Sequence, residues 1–594
     1  MMRTLRIAMA QIDPLVGDIV GNTQRIRSII KDARATGVDV VTFPELAITG
    51  SPPEDLLLNP QFVTDSEKAL AELARECTGI VAVVGYVGQG VPQAQVSPRH
   101  PVITADGRLL YNAAAILADG CCMGSYGKRL LPNWGVFDEA RYFQPGHKLP
   151  LITIRDSRLA VSMCEDLWHS EGLARDLASA GAEVIVHIHA SPFHIGTSRS
   201  REQMLSTYAR ANRVIIASTN MVGGQDELIF DGNSVIIDRH GEVMARAKAF
   251  EEDLLRADLD MEEMRPENLM SGWKEPVPWK IAGELESIAI DHHPSVEARE
   301  RMTPRLEPAL GELEEVYKGL VLGVKAYVEK NGFQKAVIGL SGGVDSALTV
   351  VIAVDALGSG NVLGVFMPSP YTSVESAEDA AELSSRLGVE CRTISITAPF
   401  ESYLRSLAPV FQGKPVDLAE ENIQARIRGN VLMAISNKFG HLVLTTGNKS
   451  EMSVGYSTLY GDMAGGFAVI KDVPKTMVYE LARMRNRQGT TPIIPLRILE
   501  RPPTAELKPN QKDEDSLPPY AVLDPILKAY IEESRSAEEI VAQGFDCATV
   551  RRVVSMVKQS EYKRRQAPVG IKITPRGLGK DRRMPITNGY GCSP

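Results

Sequence analysis

The sequence lacks any apolar run of the roughly 18–20 residues that a membrane-spanning helix needs. Its first residues, MMRTLRIAMAQIDPLVGD, hold only a short apolar stretch and no small-residue cleavage site, so we expect no signal peptide. We also find no short-period repeat and no low-complexity tract. These absences favour a globular protein that works away from membranes.

Cysteine is scarce, because the 594 residues contain only seven. No two of them have the C-x-x-C spacing of a metal site, and their number is odd. This usage is typical of a reducing compartment, so we expect free thiols and a cytoplasmic location. The cysteines stand at positions 77, 121, 122, 164, 391, 547 and 592.

Basic residues do not exceed acidic ones. The chain has 65 Lys and Arg against 74 Asp and Glu, a net charge of −9 and a pI of about 5.7. This balance offers no basic surface for nucleic acid. A hydrophobic content of 44% and a charged content of 23% are ordinary for a globular chain. Because the length exceeds what one core usually holds, we expect two or three domains.

Short apolar runs alternate with helical patterns over residues 5–260. The segments 21–36, 64–77, 171–181 and 198–212 have helical spacing. This alternation predicts a layered α/β domain over residues 1–262. The strand-like runs are LRIAMAQI, VDVVTFPE, GIVAVVGYV, AAAILADG, RLAVSMCED, AEVIVHIHAS, RVIIASTN and NSVIIDRHGEV.

The pattern changes at residues 263–310, where Pro and charged residues dominate. We interpret this segment as a linker whose Trp273 and Trp279 could dock on a neighbouring domain. From residue 311 the alternation resumes, with a helical pattern near 313–330 and the strand-like runs KAVIGL, VLGVFMP and HLVLTTGN. The order predicts a doubly wound, mostly parallel sheet in a domain over 311–594, with an irregular basic tail beyond Gly570.

The most informative motif is a glycine-rich turn between the strand-like KAVIGL and the helical pattern ALTVVIAVDAL. Gly342 and Gly343 lack Cβ atoms, so an oxyanion can approach their N–H groups, and the positive end of the following helix lies at the same spot. The spacing differs from the G-x-x-x-x-G-K-[ST] loop of γ-phosphate transfer. A turn without a ligand is the alternative. We predict an ATP site that releases pyrophosphate, formed by Gly339, Leu340, Ser341, Gly342, Gly343, Val344, Asp345 and Ser346.

Three side chains near the ends of strand-like runs fit the chemistry of amide cleavage: Glu45, Lys128 and Cys164. A cysteine attacks an amide once its proton is removed, since its ordinary pKa is about 8.5. A carboxylate can take that proton, and a lysine can stabilise the oxyanion. Taken singly, Cys164 fits a buried apolar position, Glu45 a helix cap or ion pair, and Lys128 a solvated loop. Their joint occurrence favours a catalytic triad.

In the contexts TFPELAITG, YGKRLLPNWGVFDEARYF and VSMCEDLW, these residues resemble the Glu-Lys-Cys triad of the nitrilase superfamily. The resemblance covers about residues 1–260 and implies an α-β-β-α sandwich. It also implies a thioester on Cys164, with Glu139 of VFDE as a second glutamate that orients Lys128. Glutamine is the expected substrate, because an ATP-dependent amide-forming domain downstream needs ammonia.

The same resemblance implies contacts to glutamine at Trp134, Ser191 and Thr197. Ser191 matches the family pattern, whereas Trp134 stands where Tyr is usual and Thr197 where Lys or Arg is usual. His189 replaces a common Asn, and we interpret it as a core histidine with satisfied hydrogen bonds rather than as a catalytic group.

Further polar blocks follow the glycine-rich turn: EENIQARIRG, LTTGNKSEMSVGYSTLYGD, PTAELKPNQKDEDSLPPY and SEYKRRQAPVGIKITPR. Taken alone, the first fits a solvated helix face. Thr446 at a strand end is expected to contact nucleotide. Asp345 and Glu451 are candidate ligands of Mg²⁺, which prefers one or two carboxylates with phosphate oxygens and water.

In this order, the turn and the blocks resemble the ATP-pyrophosphatase enzymes and, with the N-terminal part, the glutamine-dependent NAD synthetase family. The resemblance implies that ATP adenylates the nicotinate carboxylate of deamido-NAD and that ammonia then yields NAD and AMP. It also implies a homo-oligomer formed through the C-terminal domain and places Met367 near the adenine. The deamido-NAD contacts that it implies are Asn422, Glu451, Asp462, Lys475 and Lys563.

Two other interpretations stay open from the sequence. The first keeps both chemistries but changes the acceptor, as other pyrophosphate-loop amide synthetases do. The second treats the N-terminal domain as a non-catalytic docking module and free ammonia as the nitrogen source; the unusual Trp134 and Thr197 support it.

Overall fold

The computed structural model describes residues 3–90, 109–168, 171–262, 264, 283–291 and 300–590. Trp273, Trp279 and Cys592 lie outside these residues. The chain divides into two compact units. The first comprises residues 1–225 and 230–310, and the second comprises residues 226–229 and 311–594.

Among the described residues, strands β1 to β15 belong to the first unit, β11 only in part, together with five helices and two short 3₁₀ turns, Glu54–Leu58 and Glu139–Arg141. The strands are β1 (Thr4–Gln11), β2 (Val40–Thr42), β3 (Val81–Gly90), β4 (Leu109–Ala118), β5 (Cys121–Gly127), β6 (Lys148–Ile154), β7 (Ser157–Met163), β8 (Val184–His189), β9 (Ile215–Asn220), β10 (Val222–Gln225), β11 (Leu228–Asp231), β12 (Val235–Ile237), β13 (Val243–Arg246), β14 (Asp253–Asp260) and β15 (Glu284–Ile290). The helices are α1 (Ile19–Ala35), α2 (Pro60–Glu76), α3 (Glu165–Trp168), α4 (Glu171–Ser179) and α5 (Thr197–Asn212).

Two mixed sheets form the centre of this unit. One has the strand order β14-β1-β2-β3-β4-β5 and the other β13-β12-β9-β8-β7-β6-β15, while β10 and β11 pair as a hairpin. Valine, isoleucine, leucine and alanine dominate these strands, so their faces bury apolar side chains between the sheets and under the helices. This layered α/β architecture confirms the predicted sandwich.

The second unit contains five strands and twelve helices in the described residues, with one π-helical turn at Lys528–Glu532. The strands are β16 (Ala336–Leu340), β17 (Val362–Phe366), β18 (Glu390–Thr393), β19 (Leu442–Thr445) and β20 (Phe467–Ala468). The helices are α6 (Glu312–Lys330), α7 (Val344–Leu357), α8 (Val374–Leu387), α9 (Thr397–Phe411), α10 (Leu418–Phe439), α11 (Lys449–Val454), α12 (Lys475–Arg487), α13 (Leu496–Glu500), α14 (Tyr520–Leu527), α15 (Ala537–Ala542), α16 (Cys547–Gln559) and α17 (Glu561–Arg564).

The five strands of this unit form one parallel sheet in the order β18-β17-β16-β19-β20. The chain moves outward from β16 in one direction to β17 and β18, and in the other to β19 and β20. The strand order therefore reverses at β16, and in such sheets ligands bind beyond the carboxyl end of the strand where it reverses. The parallel sheet with covering helices confirms the predicted fold class.

Of two segments with little predicted structure, one differs from its prediction and the other agrees with it. Within the segment interpreted as a linker, residues 284–290 form β15, which pairs in parallel with β6. The tail over residues 571–590 has no helix or strand, as its basic, polar sequence predicts. Among the helices of the described ranges, none has both the length and the apolar character to cross a membrane.

Candidate functional sites

The first site lies in the first unit, where three chain segments leave their strands. Glu45 follows β2, Lys128 follows β5 directly, and Cys164 lies between β7 and α3. Their exposed fractions are 2%, 0% and 1%, respectively. Glu45 and Lys128 are in direct contact, and Cys164 interacts electrostatically with both. The structure thus brings the three predicted residues into one buried cluster.

The loop that carries Glu45 packs against β3 at Gly85. A Cβ atom at Gly85 would lie 2.2 Å from the carbonyl oxygen of Pro44 and 2.7 Å from the Cα of Glu45. No larger residue fits without moving the backbone of this loop. Gly85 therefore fixes how closely Glu45 approaches the sheet.

Lys128 lies between two carboxylates. Its Nζ donates to Glu45 Oε1 at 2.8 Å and to Glu139 Oε1 at 2.5 Å. Glu139 lies in a 3₁₀ turn after Lys128, so the contact is the one expected of a second glutamate that orients the lysine. A buried cation with two anionic partners has little freedom to move.

Asn112 on β4 also binds both carboxylates, and sequence reasoning missed it. Its Nδ2 donates to Glu45 Oε1 at 2.7 Å and, over a longer 3.4 Å, to Glu139 Oε2. Glu45 Oε2 accepts a further bond from the backbone N–H of Ala190 at 3.0 Å. Glu45 therefore has three donors, and its carboxylate is held in one orientation.

Burial and charge set the protonation of this cluster. Burial raises the pKa of Glu139 to about 7, although Lys128 acts in the opposite direction. Burial disfavours the charged form of Lys128, but the neighbouring acidic groups, Glu139 and Glu45 among them, outweigh it and raise the pKa of the lysine well above its ordinary value. Lys128 is therefore a permanent cation near neutral pH.

Cys164 occupies a backbone conformation that side chains rarely adopt. Its φ is +38°, in the left-handed region, and its N–H donates to the carbonyl of Ile188 at 3.0 Å. Burial and the charge of Glu45 raise the pKa of its thiol well above the ordinary value, against the effect of Lys128. The thiol is neutral in the ligand-free protein, so its proton must be removed as it reacts.

Asp166 fixes the segment that follows Lys128. It accepts from the hydroxyl of Tyr126 at 2.7 Å and from the backbone N–H groups of Arg129 and Leu130 at 3.0 and 2.7 Å. Burial raises the pKa of Asp166 to about 6. A carboxylate in the CEDLW block thus ties the Cys164 segment to the Lys128 segment.

The three predicted glutamine contacts lie in different surroundings. Trp134 is half exposed, Ser191 is buried with its N–H donating to Asn220 Oδ1 at 3.1 Å, and Thr197 begins α5. The hydroxyl of Thr197 accepts from the N–H of His194 at 3.2 Å. Ser191 follows the residue whose N–H binds Glu45, so of the three it has the clearest link to the buried cluster.

His189 is buried on β8 and stacks on His187, with 5.0 Å between ring centroids. Its Nε2 lies 2.9 Å from Ser218 Oγ, and His187 Nδ1 lies 3.0 Å from Ser162 Oγ. The other nitrogen of each ring has no hydrogen-bond partner among the described residues. His189 is therefore a core histidine as expected, but its hydrogen bonds are only half satisfied.

The second site is a cavity of about 280 Å³ beyond the carboxyl end of β16. It brings together most of the residues of the predicted ATP site and three of the predicted deamido-NAD contacts. Met367 and the segment 501–507 also line it. The predicted residues on its wall are Gly339, Leu340, Ser341, Gly342, Gly343, Val344, Asp345, Thr446, Glu451, Asp462 and Lys475.

The glycine-rich turn packs tightly on α8. Gly342 has a φ of +80°, and a Cβ atom on it would lie 2.7 Å from the carbonyl oxygen of Ser376. Ser346 lies behind the turn, where its hydroxyl accepts from Ser341 N–H at 3.2 Å and donates to the carbonyl of Gly343 at 3.0 Å. The turn is thereby held open toward the cavity, as an oxyanion site requires.

Asn422 and Lys563 are not on the wall of this cavity. Asn422 Oδ1 accepts from the hydroxyl of Thr458 at 2.7 Å, and Thr458 lines the cavity. Lys563 Nζ donates to the carbonyls of Gly455 and Ser457 at 2.7 and 2.8 Å. Both side chains hold the segment 455–458 that borders the cavity.

Asp345 and Glu451 share one cation. Lys475 Nζ contacts Asp345 and lies 3.3 Å from Glu451 Oε1, while Asn448 Nδ2 donates to Asp345 Oδ1 at 2.9 Å. Burial raises the pKa of Glu451 to about 8, against the effect of Lys475. The pKa of Lys475 is raised despite its burial, because Asp345 and Glu451 are close.

Sequence reasoning did not assign several side chains of the cavity. Arg428 lies on its wall with Nε donating to the carbonyl of Met367 at 3.1 Å, and burial lowers the pKa of Arg428 to about 10. Arg501 and Glu506, which are hydrogen-bonded to each other at 2.7 Å, line it as well. In the sequence, Arg428 belongs to the block EENIQARIRG and Glu506 to the block PTAEL, and Arg501 lies just before the latter.

Comparisons with known proteins divide the chain in the same way. Residues 6–267 match the carbon-nitrogen hydrolase family, and residues 316–567 match the NAD synthase family. The chain therefore joins a domain of the amide-cleaving class to a domain of the NAD synthase class.

Full-length relatives make the assignment specific. The chain is 46% identical to the glutamine-dependent NAD(+) synthetase of Thermotoga maritima over 99% of both chains, and 44% identical to that of Aquifex aeolicus over 99% of this chain and 100% of the relative. A solved glutamine-dependent NAD+ synthetase from Acinetobacter baumannii, in complex with ADP, is 42% identical, covers 99% of both chains and has a TM-score of 0.73. The chain belongs to the glutamine-dependent NAD(+) synthetase family.

Proposed function

We propose that this protein converts deamido-NAD to NAD, using ATP and the amide nitrogen of L-glutamine, and releases AMP, diphosphate and glutamate. The observation that supports the proposal is the presence on one chain of two clusters of side chains, each suited to one half of the reaction. The buried Glu45–Lys128–Cys164 cluster suits amide cleavage, and the open glycine-rich turn of the second unit suits an ATP phosphate chain. Cleavage supplies ammonia, and adenylation creates a carboxylate that ammonia can attack.

In the first site, Cys164 Sγ attacks the side-chain carbonyl carbon of glutamine as Glu45 takes the thiol proton. The ammonium of Lys128 stabilises the oxyanion that forms. Glu45 then donates the proton to the leaving nitrogen, ammonia departs, and a thioester remains on Cys164. Water attacks the thioester with Glu45 as base, which releases glutamate and restores the thiol.

In the second site, a carboxylate oxygen of deamido-NAD attacks the α-phosphorus of ATP, and diphosphate leaves. We assign the phosphate chain to the N–H groups of Gly342 and Gly343 and to Lys475, and the nucleotide contact to Thr446. Ammonia attacks the carbonyl carbon of the acyl-adenylate, loses a proton and expels AMP. AMP is a much better leaving group than the oxide ion of a free carboxylate.

The remaining predicted contacts of deamido-NAD fall into two groups. Glu451 and Asp462 line the cavity and are assigned to direct contact. Asn422 and Lys563 are assigned an indirect role, through the segment 455–458 that they hold. In the first site we assign glutamine contacts to Trp134, Ser191 and Thr197, with Ser191 next to Ala190, whose N–H binds Glu45.

We propose Asp345 and Glu451 as the ligands of Mg²⁺. Two carboxylates on the wall of the ATP cavity match the sparse protein supply that Mg²⁺ uses beside phosphate oxygens and water. Burial raises the pKa of Glu451 to about 8, so this carboxyl would release a proton on binding the ion. When bound, the ion would neutralise charge on the phosphate chain.

The central test replaces the nucleophile. Cys164→Ala should abolish glutamine-driven NAD synthesis, by a factor on the order of 10³ or more, because no thioester can form. Synthesis from ammonium should remain within about twofold of wild type, since the second site is unchanged. The assay supplies deamido-NAD, ATP and Mg²⁺ with either nitrogen source and measures NAD, AMP and diphosphate.

Cys77→Ala is the matched control, because Cys77 is equally buried and its thiol donates only to the carbonyl of Leu73. It should leave both nitrogen sources usable. Glutamine-driven synthesis that persists in Cys164→Ala would favour a non-catalytic docking role for the first unit. Release of ADP and phosphate in place of AMP and diphosphate would overturn the adenylation step.

We also propose that the protein forms a homo-oligomer through its second unit. Helices α9 and α10 and the turn between them expose large apolar side chains, which water solvates poorly. A charged substitution such as Val410→Glu should lower the mass measured by sedimentation. An unchanged mass, or a monomeric wild type, would exclude this surface. The exposed residues are Tyr403, Val410, Val416, Leu418 and Phe439.

A cytoplasmic location fits the thiols. The six cysteines in the described ranges are free, and Cys121, Cys122 and Cys547 are exposed. Exposed thiols persist in a reducing compartment. We therefore propose that the reaction takes place in the cytoplasm.

A further inference from the structure

Strand β4 places one amide among apolar side chains. Its sequence is LLYNAAAILA, and Asn112 is 1% exposed. Burying an amide at a strand centre costs free energy unless both of its ends find partners. The reason for an asparagine at this position must therefore lie in what it contacts.

Asn112 lies closer to one of the two carboxylates than to the other, whereas Lys128 is close to both. The lysine bonds both Glu45 and Glu139, at 2.8 and 2.5 Å. The amide of Asn112 instead lies 2.7 Å from Glu45 and 3.4 Å from Glu139. It is thus the side chain that makes the surroundings of the two acids unequal.

The oxygen of this amide does not take part in the contacts with the acids. Asn112 Oδ1 has no hydrogen-bond partner in the described part of the chain. The three other buried asparagines there, Asn22, Asn220 and Asn448, donate through the nitrogen and accept through the oxygen. Turning the Asn112 amide over would bring its oxygen against two carboxylates. In the observed orientation the amide nitrogen donates to the acids, and the amide oxygen is left without a hydrogen bond.

We propose that Asn112 is a positioning residue for amide cleavage: it holds the carboxylate of Glu45 in the orientation of the base and leaves Glu139 to hold Lys128. This inference rests on the function proposed above. A donor to Glu45 that carries no charge stabilises the carboxylate without adding a second cation that would compete with Lys128 for the oxyanion.

The charges around the base support this division. Glu45 faces Lys128 after β5, Glu139 in its 3₁₀ turn and Cys164 after β7, with Glu165 of α3 acting on Cys164. Burial raises the pKa of Glu139 to about 7, while Lys128 and the hydrogen bond from Asn112 act in the opposite direction. Two ionised acids against one lysine would leave an unbalanced buried charge.

The test replaces the amide with an apolar group of similar size. Asn112→Leu should lower kcat for glutamate release by about 10–100-fold and leave KM within about threefold, because the base is weakened but not the binding surface. The hydrogen bond from Asn112 lowers the pKa of Glu139, which holds Lys128 beside Glu45, so its loss should move the acid limb of kcat/KM up by about one pH unit. If leucine disturbs packing, Asn112→Ala removes the same donor without added volume and should shift the limb in the same direction.

Asn22→Leu is the control, because Asn22 is also a buried asparagine of this unit but bonds only the backbone of Leu15 and Ile48. It should lower the melting temperature and leave the pH profile in place. A structural role alone would make the Asn112 variants behave like Asn22→Leu.

Two results separate this inference from the proposed function. If Cys164→Ala abolishes glutamine-driven synthesis while both Asn112 variants keep the wild-type acid limb, the inference on Asn112 is wrong and the function stands. If Cys164→Ala still uses glutamine, the proposed function itself fails. A parallel loss of ammonium-driven synthesis in the Asn112 variants would also overturn the inference, since it indicates general damage to the fold.

Discussion

The two sites of this protein share one arrangement of charges. In each, a buried lysine lies between two carboxylates: Lys128 between Glu45 and Glu139, and Lys475 between Asp345 and Glu451. In each, an asparagine makes its shortest hydrogen bond to a carboxylate with one of those acids, Glu45 or Asp345, and burial raises the pKa of the other acid, to about 7 for Glu139 and about 8 for Glu451.

The sites differ in what surrounds this arrangement. The first is closed, with Lys128 fully buried and Glu45 almost so, and the nucleophile that we propose for it, Cys164, belongs to the protein. The second opens into a cavity whose wall includes Asp345 and Glu451, whose side chains are 18% and 17% exposed. There both reacting groups must come from substrates.

The difference shows how one charge arrangement suits two chemistries. Where the nucleophile is built in, the cluster can be closed and the lysine left with one task, to stabilise an oxyanion. Where a phosphate chain must enter, a lysine and two acids in the same arrangement form an open wall that accepts additional charge. Comparing matched variants of the two sites tests this view.

The largest effects are expected from the lysines. Lys128→Met should abolish glutamate release, by about 10³-fold or more, because the oxyanion loses its cation. It should also destabilise the fold by about 3–5 kcal/mol, since two buried acids lose their partner. Lys475→Met should instead abolish ammonium-driven NAD synthesis. Glutamate release without ATP and NAD formation from ammonium measure the two reactions separately.

If both lysine variants lost both reactions, the sites would not be chemically independent, and the comparison above would not hold. Arg27→Met is the control, because Arg27 also bonds two acids, Glu72 and Glu76, but lies partly exposed on α1. It should leave both activities unchanged.

A smaller effect is expected from the acids of raised pKa. Because the pKa of Glu139 is about 7 in the folded protein, it still holds a proton there at pH values where the unfolded chain has released it. Stability should therefore fall as pH rises from about 4.5 to about 7, by up to about 1.4 kcal/mol per pH unit. For Glu451 this range extends to about 8.

Glu139→Gln and Glu451→Gln should each flatten the decline in melting temperature over their own pH range. Calorimetry from about pH 5 to about pH 9 resolves the two ranges. A decline with unchanged slope in both variants would show that these carboxyls are ionised when folded. Glu514→Gln, at an exposed surface position, should leave the slope as it is.

The glycines that support each site should give effects of about 10-fold in activity, because their neighbours must shift by tenths of an ångström. Gly85→Ala displaces the Glu45 loop and should lower glutamate release alone. Gly342→Ala pushes the glycine-rich turn away from Ser376 and should raise the KM for ATP alone. Gly120→Ala is the control. Gly120 also has a positive φ, but a Cβ atom on it would meet nothing within 4 Å, so this variant shows the effect of backbone strain without steric overlap.

The smallest expected effect is on stability at the nucleophile. Cys164→Gly should be more stable than Cys164→Ala by about 1 kcal/mol, because glycine adopts the left-handed backbone conformation without strain. Denaturant unfolding of the two inactive variants measures the difference. Equal stabilities would mean that the φ of +38° imposes no strain at this position.

The sequence predicts those parts of the molecule that depend on local patterns. Apolar β-branched runs mark most strands, and the glycine-rich turn lies between β16 and α7 as expected. Strand β15 escaped prediction, because it lies in a region rich in Pro and charge and is stabilised by pairing with β6. Its pairing partner lies far away in sequence.

The candidate sites were predictable where a motif carries the chemistry. Glu45, Lys128 and Cys164 stand in recognisable blocks, whereas Asn112 lies in LLYNAAAILA with no polar neighbour to mark it. The contact between Asp345 and Lys475 joins residues 130 positions apart and emerges only when the sheet forms. Contacts of this kind depend on topology, which a single sequence does not reveal.

The stacked histidines of β8 set an acid limit for the first unit. Burial lowers the pKa of His187 to about 3 and that of His189 well below its ordinary value. The unfolded chain binds protons at both rings near pH 6.5, so acidification below about that value favours unfolding. Neither ring is assigned a catalytic role. Both nevertheless lower the stability of the first unit in acid, and with it the release of ammonia from glutamine.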